Sequence, residues 1–385
     1  MSGTRRTFAI LTPEYPPGSG GIGDFVALVA ARLAAGGDRV LVHTARPRDP
    51  VAIEGVEVRV LPDEFGPRSR RQLARDWAAL PRDAVIFVQY VPQGFGWKGM
   101  NLPFASFLAT RQERLWLMLH EVVYPFVRGQ SVRRDVLAVV TRLMLRLSGQ
   151  SAERAFVSTP AWEPLVEFYS RRGLGCVWLP IPATATVPDQ FELPEPAAVP
   201  TVAHFGTYGS LVAEPLERSV VPVLAAAEER ELVLVGRGSE EFRRALLSRH
   251  PRFAERVRAT GALGPEAVVR ELARAWVSVF PFLEGVTTRR TSLMTALAAG
   301  AAIVTTSAWC TEPIWRRSGA VELVAGCDAG ATAAAVERLL LDAPRRAELR
   351  RRGQALYRER FHLDRAVQSL RELYDGPQRQ ARSSG

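Results

Sequence analysis

The sequence predicts an α/β fold made of two Rossmann-like domains. Short runs of β-branched and aromatic residues alternate with helix-length amphipathic segments, a pattern typical of parallel sheets covered on both faces. The alternation stops in a proline-rich stretch at residues 180–200 and then restarts. A chain of 385 residues is also too long for one compact core. Together these observations indicate two α/β domains joined by a linker.

The proline-rich stretch sets the expected domain boundaries. The sequence LPIPATATVPDQFELPEPAAVP carries six prolines and little periodicity, so it is hard to build into a helix or a strand. We therefore expect an N-terminal domain at 1–182, a linker at 183–200 and a C-terminal domain at 201–346. Residues 347–376 are expected to form C-terminal helices, and 377–385 a disordered tail.

Each expected strand is a short, mostly apolar run bounded by turn residues. In the first domain the strands are expected at 7–11, 40–44, 56–61, 84–89, 115–120, 155–158 and 176–179. In the second domain they are expected at 202–205, 231–235, 257–260, 276–280, 302–306 and 321–324. The clearest helix is 24–35, because a glycine-rich loop precedes it and Gly36 and Gly37 supply a stop.

Composition excludes several classes of function. The net charge is +10, but the basic residues are scattered and form no aromatic-interleaved stripe, so we expect no nucleic-acid partner. The three cysteines, Cys176, Cys310 and Cys327, lack the spacing of a disulfide framework or a zinc site. No apolar run reaches the roughly 20 residues that span a bilayer, and no signal-peptide pattern precedes the first strand. We therefore expect a cytoplasmic protein.

A glycine-rich loop follows the first expected strand. In TPEYPPGSGGIGDF the glycines lie between a strand and a helix, where backbone N–H groups can converge on an anion or a hydroxyl. A flexible connection that merely tolerates glycine is an equally good interpretation. The spacing matches neither the GxGxxG dinucleotide fingerprint nor a P-loop.

From this loop onward the chain resembles family-4 glycosyltransferases. The segment ILTPEYPPGSGGIGDFVALVAARLAAGGDRVLVHT resembles the opening of that family. Later segments resemble one branch of it in the same order: FVQYVP, LMLHEVVYPF, AFVSTPAW, HFGTYG, LVLVGRGSEEF and FPFLEGVTTRRTSLMTALAAGAAIVTT. The resemblance implies the GT-B fold, in which two Rossmann-like domains face a central cleft. It also implies that helices 347–376 lead back to the first domain.

The resemblance implies a retaining, hexosyltransferase-type enzyme that uses a nucleotide-diphosphate sugar as co-substrate and no cofactor. The nucleotide would lie on the C-terminal domain. The acceptor, a hydroxyl of a glycan, a lipid-linked molecule or a small molecule, would lie on the N-terminal domain. No DxD-type acidic cluster or histidine cluster stands at a strand end, so we expect metal independence. Arginine, helix N-termini and backbone amides would then neutralise the leaving group.

On the acceptor side, His120 ends an apolar strand in LWLMLHE. In the family a histidine here contacts the transferred sugar, and we favour that catalytic role over a histidine satisfied by its neighbours. Glu121 is expected to have a structural or acceptor-side role. Gly20 and Gly21 of the first glycine loop are expected on the same side.

On the donor side, PFLEG aligns Glu284 with a family glutamate that binds hydroxyls of the donor sugar, which makes it a second catalytic candidate. The family's next glutamate binds the ribose, but here TALAAG places Thr295 at that position, after ten intervening residues. The longer loop contains Arg289 and Arg290 at an expected helix start, where they could hold a diphosphate. Consecutive helix residues point in different directions, so we expect one of the pair to do so, and a solvated helix end is the alternative.

The remaining donor-side candidates are loop residues near strand ends. Glycines here would let the backbone approach the phosphates, although an ordinary tight turn is an equal alternative for the VGRGSE loop. The candidates are Gly206, Tyr208, Gly209, Arg237, Gly285, Thr287 and Thr288.

Two questions stay open from sequence. The segment SVRRDVLAVVTRLMLRLSG could be a basic amphipathic helix at the inner membrane surface, although we favour a packed helix with a solvated edge. The missing second glutamate also leaves room for a catalytically silent nucleotide- or glycan-binding paralogue. A third alternative is a nucleotide-sugar epimerase with the GT-B fold.

Overall fold

The computed structural model describes residues 5–18, 20–171, 173–185 and 194–377, and these group into two compact units. The first unit contains the described residues up to Pro180 and again from Leu363, and the second unit is Ile181–His362. Both units alternate strands and helices around a parallel sheet. The α/β class predicted from sequence is therefore confirmed.

The first unit is built on a seven-stranded sheet with the order β3-β2-β1-β4-β5-β6-β7, in which every neighbouring pair is parallel. Its strands are β1 (Thr7–Thr12), β2 (Arg39–Thr44), β3 (Val56–Val60), β4 (Val85–Tyr90), β5 (Arg114–Leu119), β6 (Ala152–Val157) and β7 (Cys176–Trp178). Its helices up to β7 are α1 (Gly21–Ala35), α2 (Pro67–Ala78), α3 (Leu102–Ala109), α4 (Val132–Ser148) and α5 (Glu163–Tyr169). Every residue of the central strands β1 and β4 is buried.

The second unit has a six-stranded parallel sheet with the order β10-β9-β8-β11-β12-β13. Its strands are β8 (Thr201–Phe205), β9 (Glu231–Val235), β10 (Val257–Ala259), β11 (Val277–Phe280), β12 (Ile303–Ser307) and β13 (Glu322–Ala325). Its helices are α6 (Ser210–Ala226), α7 (Ser239–Arg249), α8 (Pro265–Arg274), α9 (Thr291–Ala298), α10 (Pro313–Ser318), α11 (Ala329–Leu341) and α12 (Ala343–Leu356), which a π-helical turn extends over Tyr357–Phe361.

The strand order of each sheet reverses once, between β1 and β4 in the first unit and between β8 and β11 in the second. In open α/β sheets, ligands bind outside the carboxyl ends of the strands at such a switch point. The loops after these four strands are therefore the places where a site is expected. The first glycine loop follows β1, and the HFGTYG and PFLEG segments follow β8 and β11.

The last helix, α13 (Leu363–Asp375), belongs to the first unit and packs against α1. Its Tyr374 hydroxyl donates to Asp83 Oδ2 at 3.0 Å and accepts the Thr7 N–H at 3.2 Å. The guanidinium of Arg371 donates through Nε to Asp38 Oδ2 at 2.8 Å, and this carboxylate is buried. The residues expected to form the C-terminal helices, 347–376, are thus divided between the two units.

All thirteen expected strands are present, with ends within about three residues of those predicted. Helix α1 begins at Gly21 rather than at Asp24, because the glycine loop continues directly into the first turn. In the expected linker, residues 186–193 lie outside the described residues, and 183–185 and 194–200 form no helix or strand. The expected tail also lies outside the described residues from 378 onward. Among the helices that the structure describes, none is long and apolar enough to cross a membrane.

The packing of α13 generates a stability prediction. Leu370 is fully buried on this helix, so Leu370→Ala should lower the free energy of unfolding by about 2–5 kcal/mol through lost burial and the cavity left behind. Arg365→Ala, an exposed position on the same helix, should change it by less than about 0.5 kcal/mol. Urea denaturation of both variants measures this. Equal stability of the two variants would show that α13 contributes little to the first unit.

Candidate functional site

Two uncapped helix N-termini lie at the switch point of the second unit. Helix α6 follows the loop after β8 and has Gly209 as its cap, and α9 follows the loop after β11 and has Arg290 as its cap. Neither cap residue donates or accepts a side-chain hydrogen bond with the first turn. The first N–H groups of a helix and the positive end of its dipole favour anions. This edge of the sheet is therefore suited to a negatively charged ligand.

Glycines bring the loops of this edge into close backbone contact. The N–H of Gly206 donates to the carbonyl of Val235 at 3.1 Å. Gly236 has a φ of +110°, and a β-carbon there would collide with the Gly206 carbonyl. A β-carbon on Gly206 would lie 4.0 Å from Cβ of Ser292 in the first turn of α9. The loops after β8 and β9 therefore meet backbone to backbone, and such a close backbone approach is what a phosphate-binding loop needs.

The side chain of Tyr208 supports the loop after β8. Its single hydroxyl proton is shared between the carbonyls of His204 and Val235, each 3.1 Å from the oxygen, and its ring stacks on Phe242 with centroids 5.2 Å apart. Burial raises the pKa of Tyr208, so the phenol stays protonated. Tyr208 can therefore reach a ligand only through its backbone, which is how the sequence analysis used it.

Glu284 is the centre of an ion-pair cluster after β11. Nη2 of Arg289 and Nη2 of Arg290 both contact its Oε1. The guanidinium of Arg290 also lies over the ring of Phe282, 4.5 Å from the centroid. Burial, with a smaller contribution from the neighbouring Arg289, lowers the pKa of Arg290 to about 10, so it remains charged at neutral pH. Two guanidinium groups share one carboxylate, which leaves one positive charge for an anion.

The geometry of this cluster corrects one expectation. From sequence, Arg289 and Arg290 are expected at a helix start and therefore to point in different directions. Helix α9 begins at Thr291, so the pair precedes it, and the non-helical backbone of Arg290 (φ −85°, ψ 89°) replaces the helical turn that would separate them. Both side chains consequently converge on Glu284.

Glu312, which the sequence analysis missed, holds the loop that carries this cluster. Its buried carboxylate accepts the N–H and the hydroxyl of Thr288 on Oε1, at 2.9 and 2.8 Å. Its Oε2 accepts Nε1–H of Trp315 at 2.7 Å. A glutamate directly before a proline at the start of α10 could have indicated a helix cap, but its partner Thr288 lies 24 residues away. The order of neighbouring residues in the sequence does not reveal a contact between residues so far apart in the chain.

The remaining residues predicted after β11 are buried or conformationally constrained, and their roles in donor binding stay predictions. Gly285 has a φ of +86°, and a β-carbon there would collide with the Thr311 hydroxyl and the Ala308 N–H. Thr287, Thr288 and Thr295 are fully buried. The Thr295 hydroxyl lacks a hydrogen-bond partner among the described residues. Ribose binding by Thr295 stays a prediction that this placement does not favour.

A cavity of about 310 Å³ opens between the first turns of α6 and the loop after β11, without the cluster residues themselves in its lining. Leu283 contributes one wall next to Glu284, and the first turns of α6 contribute Ser210, Glu214 and Arg218. The volume is at the lower end of the roughly 300–1,000 Å³ that small-molecule sites occupy. Arg237 lies on the exposed loop after the neighbouring strand β9 and does not line this cavity.

In the first unit, His120 directly follows β5 and is held as a neutral imidazole. Its Nε2 lies 2.8 Å from Oε1 of Gln89 on β4, and its ring packs edge-on against Phe25 at 5.5 Å. Burial lowers the pKa of His120 to about 3. With the Gln89 amide in this orientation, Nε2–H donates to it and Nδ1 carries the lone pair. Such a group can accept a hydrogen bond but does not supply a positive charge at neutral pH.

The glycine loop of the first unit already contains a carboxylate. Oε1 of Glu14 accepts the N–H groups of Ile22 and Gly23, each at 3.3 Å, and a β-carbon on Gly20 would collide with this side chain. Gly21 is the first residue of α1. The helix N-terminus is thus neutralised from within the chain, so an external anion is disfavoured here. A contact of Gly20 or Gly21 with an acceptor hydroxyl stays a prediction, as does the role of the exposed Glu121.

Within the ranges that the structure describes, no group of three or more His, Cys, Asp or Glu side chains is arranged to hold a metal ion.

Residues 212–342 match the family model described as "Glycosyl transferases group 1". The match covers about a third of the chain, and the resemblance to glycosyltransferases predicted from sequence is confirmed over these residues. No curated protein matches the chain by sequence.

Three solved structures resemble the whole chain. Sucrose-phosphate synthase from Thermosynechococcus elongatus has a TM-score of 0.72 and 19% identity over 96% of this chain and 98% of its own. HepE from Anabaena, solved in complex with UDP and glucose, has a TM-score of 0.69 and 16% identity, over 97% of this chain and 100% of its own. The UDP-forming α,α-trehalose-phosphate synthase from Burkholderia vietnamiensis has a TM-score of 0.68 and 14% identity, over 98% of this chain and 100% of its own. At these identities the likeness shows the fold, and the GT-B class is confirmed.

The role assigned to Glu312 can be measured. Glu312→Gln should lower the free energy of unfolding by about 1.5–3 kcal/mol, because either amide orientation points an N–H at a donor of Thr288 or Trp315. Glu266→Gln, at an exposed ion pair with Arg270, should have little effect. Chemical denaturation compares the two variants. Equal free energies of unfolding for the two variants would show that Glu312 does not stabilise the loop.

The protonation state of His120 gives a second prediction. The unfolded chain titrates near the ordinary histidine pKa of about 6.5, whereas the folded pKa is lowered to about 3. The unfolded state therefore takes up the proton first as pH falls, and stability is lost below about pH 6.5. Ring-carbon NMR shifts of His120, assigned with His120→Gln, should stay at the neutral value from pH 8 to about pH 5. A midpoint near 6.5 would contradict the burial argument.

Proposed function

We propose that the chain is a glycosyltransferase that moves a sugar from a nucleoside-diphosphate donor to a hydroxyl acceptor. The observation that carries the proposal is the Glu284–Arg289–Arg290 cluster, which directly precedes the uncapped N-terminus of α9 at the switch point of the second unit. The group 1 match over residues 212–342 supports the same chemistry.

A uridine nucleotide is the donor class that the comparisons favour. HepE is described as bound to UDP and glucose, and the Burkholderia enzyme as UDP-forming. We therefore propose a UDP-sugar, with a hexose as the transferred group and no further cofactor. The acceptor is a hydroxyl of a glycan, a lipid-linked molecule or a small molecule, and the first unit would bind it.

Donor binding would exchange one anion for another. The arginines now bind the Glu284 carboxylate, and a diphosphate is a stronger, doubly charged partner for the same guanidinium groups. Displacement by the diphosphate would release Glu284, whose carboxylate could then accept hydroxyls of the donor sugar. The arginines, the α6 and α9 N-termini and the amides near Gly206 would neutralise the leaving group without a metal ion.

The transfer step that we propose retains the anomeric configuration. The bond between the anomeric carbon and the diphosphate oxygen breaks, and a bond to the acceptor oxygen forms on the same face. The acceptor proton passes to the leaving phosphate oxygen. The neutral His120 would accept a hydrogen bond from a sugar hydroxyl near the reacting centre.

Two other functions make different predictions. A catalytically silent paralogue would bind UDP or UDP-sugar without releasing UDP from it. An epimerase would interconvert free UDP-sugars in the absence of any acceptor. The buried position of Thr295 is the observation that keeps the silent paralogue under consideration, because it leaves no side chain at the predicted ribose position.

Glu284→Gln separates sugar binding from phosphate binding. We expect UDP release from the UDP-sugar to fall at least about 100-fold, since an interaction at the reacting centre is lost. UDP affinity should not fall, because the substitution removes the carboxylate that competes for the arginines. Glu241→Gln, at an exposed pair with Arg244, is the control. Normal turnover in Glu284→Gln would exclude the residue from the site.

Arg289→Ala and Arg290→Ala test charge neutralisation. Each leaves a neutral arginine–glutamate pair in place of the net positive cluster, so each should weaken UDP binding by about 1.5–3 kcal/mol while leaving uridine binding unchanged. Isothermal titration with UDP and uridine in EDTA measures both ligands, and Arg270→Ala is a surface control. If the difference in binding affinity between UDP and uridine is unchanged in both variants, the arginine assignment is wrong.

A further inference from the structure

A row of exposed apolar side chains on α4 has no role in the proposed function. Val132, Val136, Val139 and Leu143 are 77%, 48%, 57% and 43% exposed, and their spacing places them on one face of the helix. The opposite face packs into the first unit through buried residues that include Ala138, Met144 and Leu145. The helix therefore has a second apolar face that this chain leaves in solvent.

The loop before the helix extends this face. Phe126 and Val127 are both more than half exposed. Arg142 of α4 lies over the Phe126 ring, 4.2 Å from its centroid, and its Nη1 donates to the Tyr124 carbonyl at 2.8 Å. Gln130 donates to Asp135 Oδ1 at 2.7 Å. These contacts hold the loop along one edge of the row, and we call the combined surface the α4 patch: Phe126, Val127, Val132, Val136, Val139 and Leu143.

Unpaired arginines accompany the α4 patch. Arg128, Arg133 and Arg146 are exposed, and none makes an ion pair within the part of the chain that the structure describes. Asp135 is the only acidic residue of the helix, and it is engaged by Gln130. Elsewhere, exposed arginines such as Arg244 and Arg270 pair with a glutamate one turn away on the same helix. The positive charge beside the patch is thus left for an external partner.

We propose that the α4 patch docks onto the surface of an anionic lipid bilayer. The helix would lie in the plane of the interface, with the apolar row among the acyl chains and the arginines against lipid phosphates. A bilayer presents an anionic layer directly above an apolar one, which matches the order of charges and apolar side chains here. A second copy of this chain is a poorer occupant, because two-fold pairing would bring the same arginines together.

This proposal does not depend on the proposed function, and its test uses no activity. The full chain is sedimented with phosphatidylcholine vesicles and with vesicles that also contain phosphatidylglycerol. Binding should require phosphatidylglycerol and weaken with salt. Val136→Asp and Val139→Asp should each weaken partitioning by about 10-fold, from the lost apolar burial. Arg133→Gln and Arg146→Gln should each weaken it by about 5-fold.

Leu341→Asp is the matched control, because this leucine is 82% exposed on α11 of the second unit and should not affect partitioning. Thermal melting checks that each variant is folded. The proposal is overturned if the chain does not sediment with phosphatidylglycerol vesicles, or if the valine variants bind as well as the unsubstituted chain. It is also overturned if sedimentation velocity shows a dimer that Val136→Asp dissociates while vesicles bind neither form.

Discussion

The candidate donor site depends on the hydrogen bonds that the buried carboxylate of Glu312 accepts. Burying a charge is costly unless hydrogen bonds replace its hydration, and Thr288 and Trp315 supply three donors. With Thr288 fixed, the chain from Gly285 to Arg290 has little freedom, since Gly285 is also confined by the Thr311 and Ala308 backbone turn. The convergence of Arg289 and Arg290 on Glu284 follows from that fixed loop. A residue with no predicted role thereby positions three residues that have one.

The glycine loop before α1 and the HFGTYG loop before α6 are both glycine-rich connections from a strand to a helix. They differ in the charge of the side chains beside the helix N-terminus. In the first unit the Glu14 side chain reaches back to the amides of Ile22 and Gly23, so the N-terminus of α1 already has its anion. In the second unit α6 and α9 begin without a side-chain cap, and arginines lie beside them. This difference supports the proposal that the anionic part of a substrate binds to the second unit. The neutral His120 is consistent with binding of uncharged hydroxyls by the first unit, as also proposed.

Much of the fold was predictable because buried parallel strands are short continuous apolar runs, and all thirteen were located. The loop after β11 was also located, because PFLEG and TALAAG bracket it in sequence. What the sequence could not reveal were contacts between distant residues. The hydrogen bond between Thr288 and Glu312 joins residues 24 positions apart in the sequence. The Gly23 N–H donates to Glu14 across a glycine loop that has no periodic pattern from which the contact could be predicted. The pairing of both arginines with Glu284 was missed because the helix was assumed to begin at Arg289, two residues before its observed start.

The central claim, that the diphosphate of a donor binds at the β8–β11 switch point, is most directly tested by hydrogen exchange with and without UDP. Bound phosphates would protect the amides of the HFGTYG loop and the first turn of α6, and those from Gly285 through the first turn of α9. The account predicts slower exchange in these two segments and unchanged exchange in the glycine loop before α1. Protection centred on that first glycine loop, or no protection at saturating UDP, would contradict it.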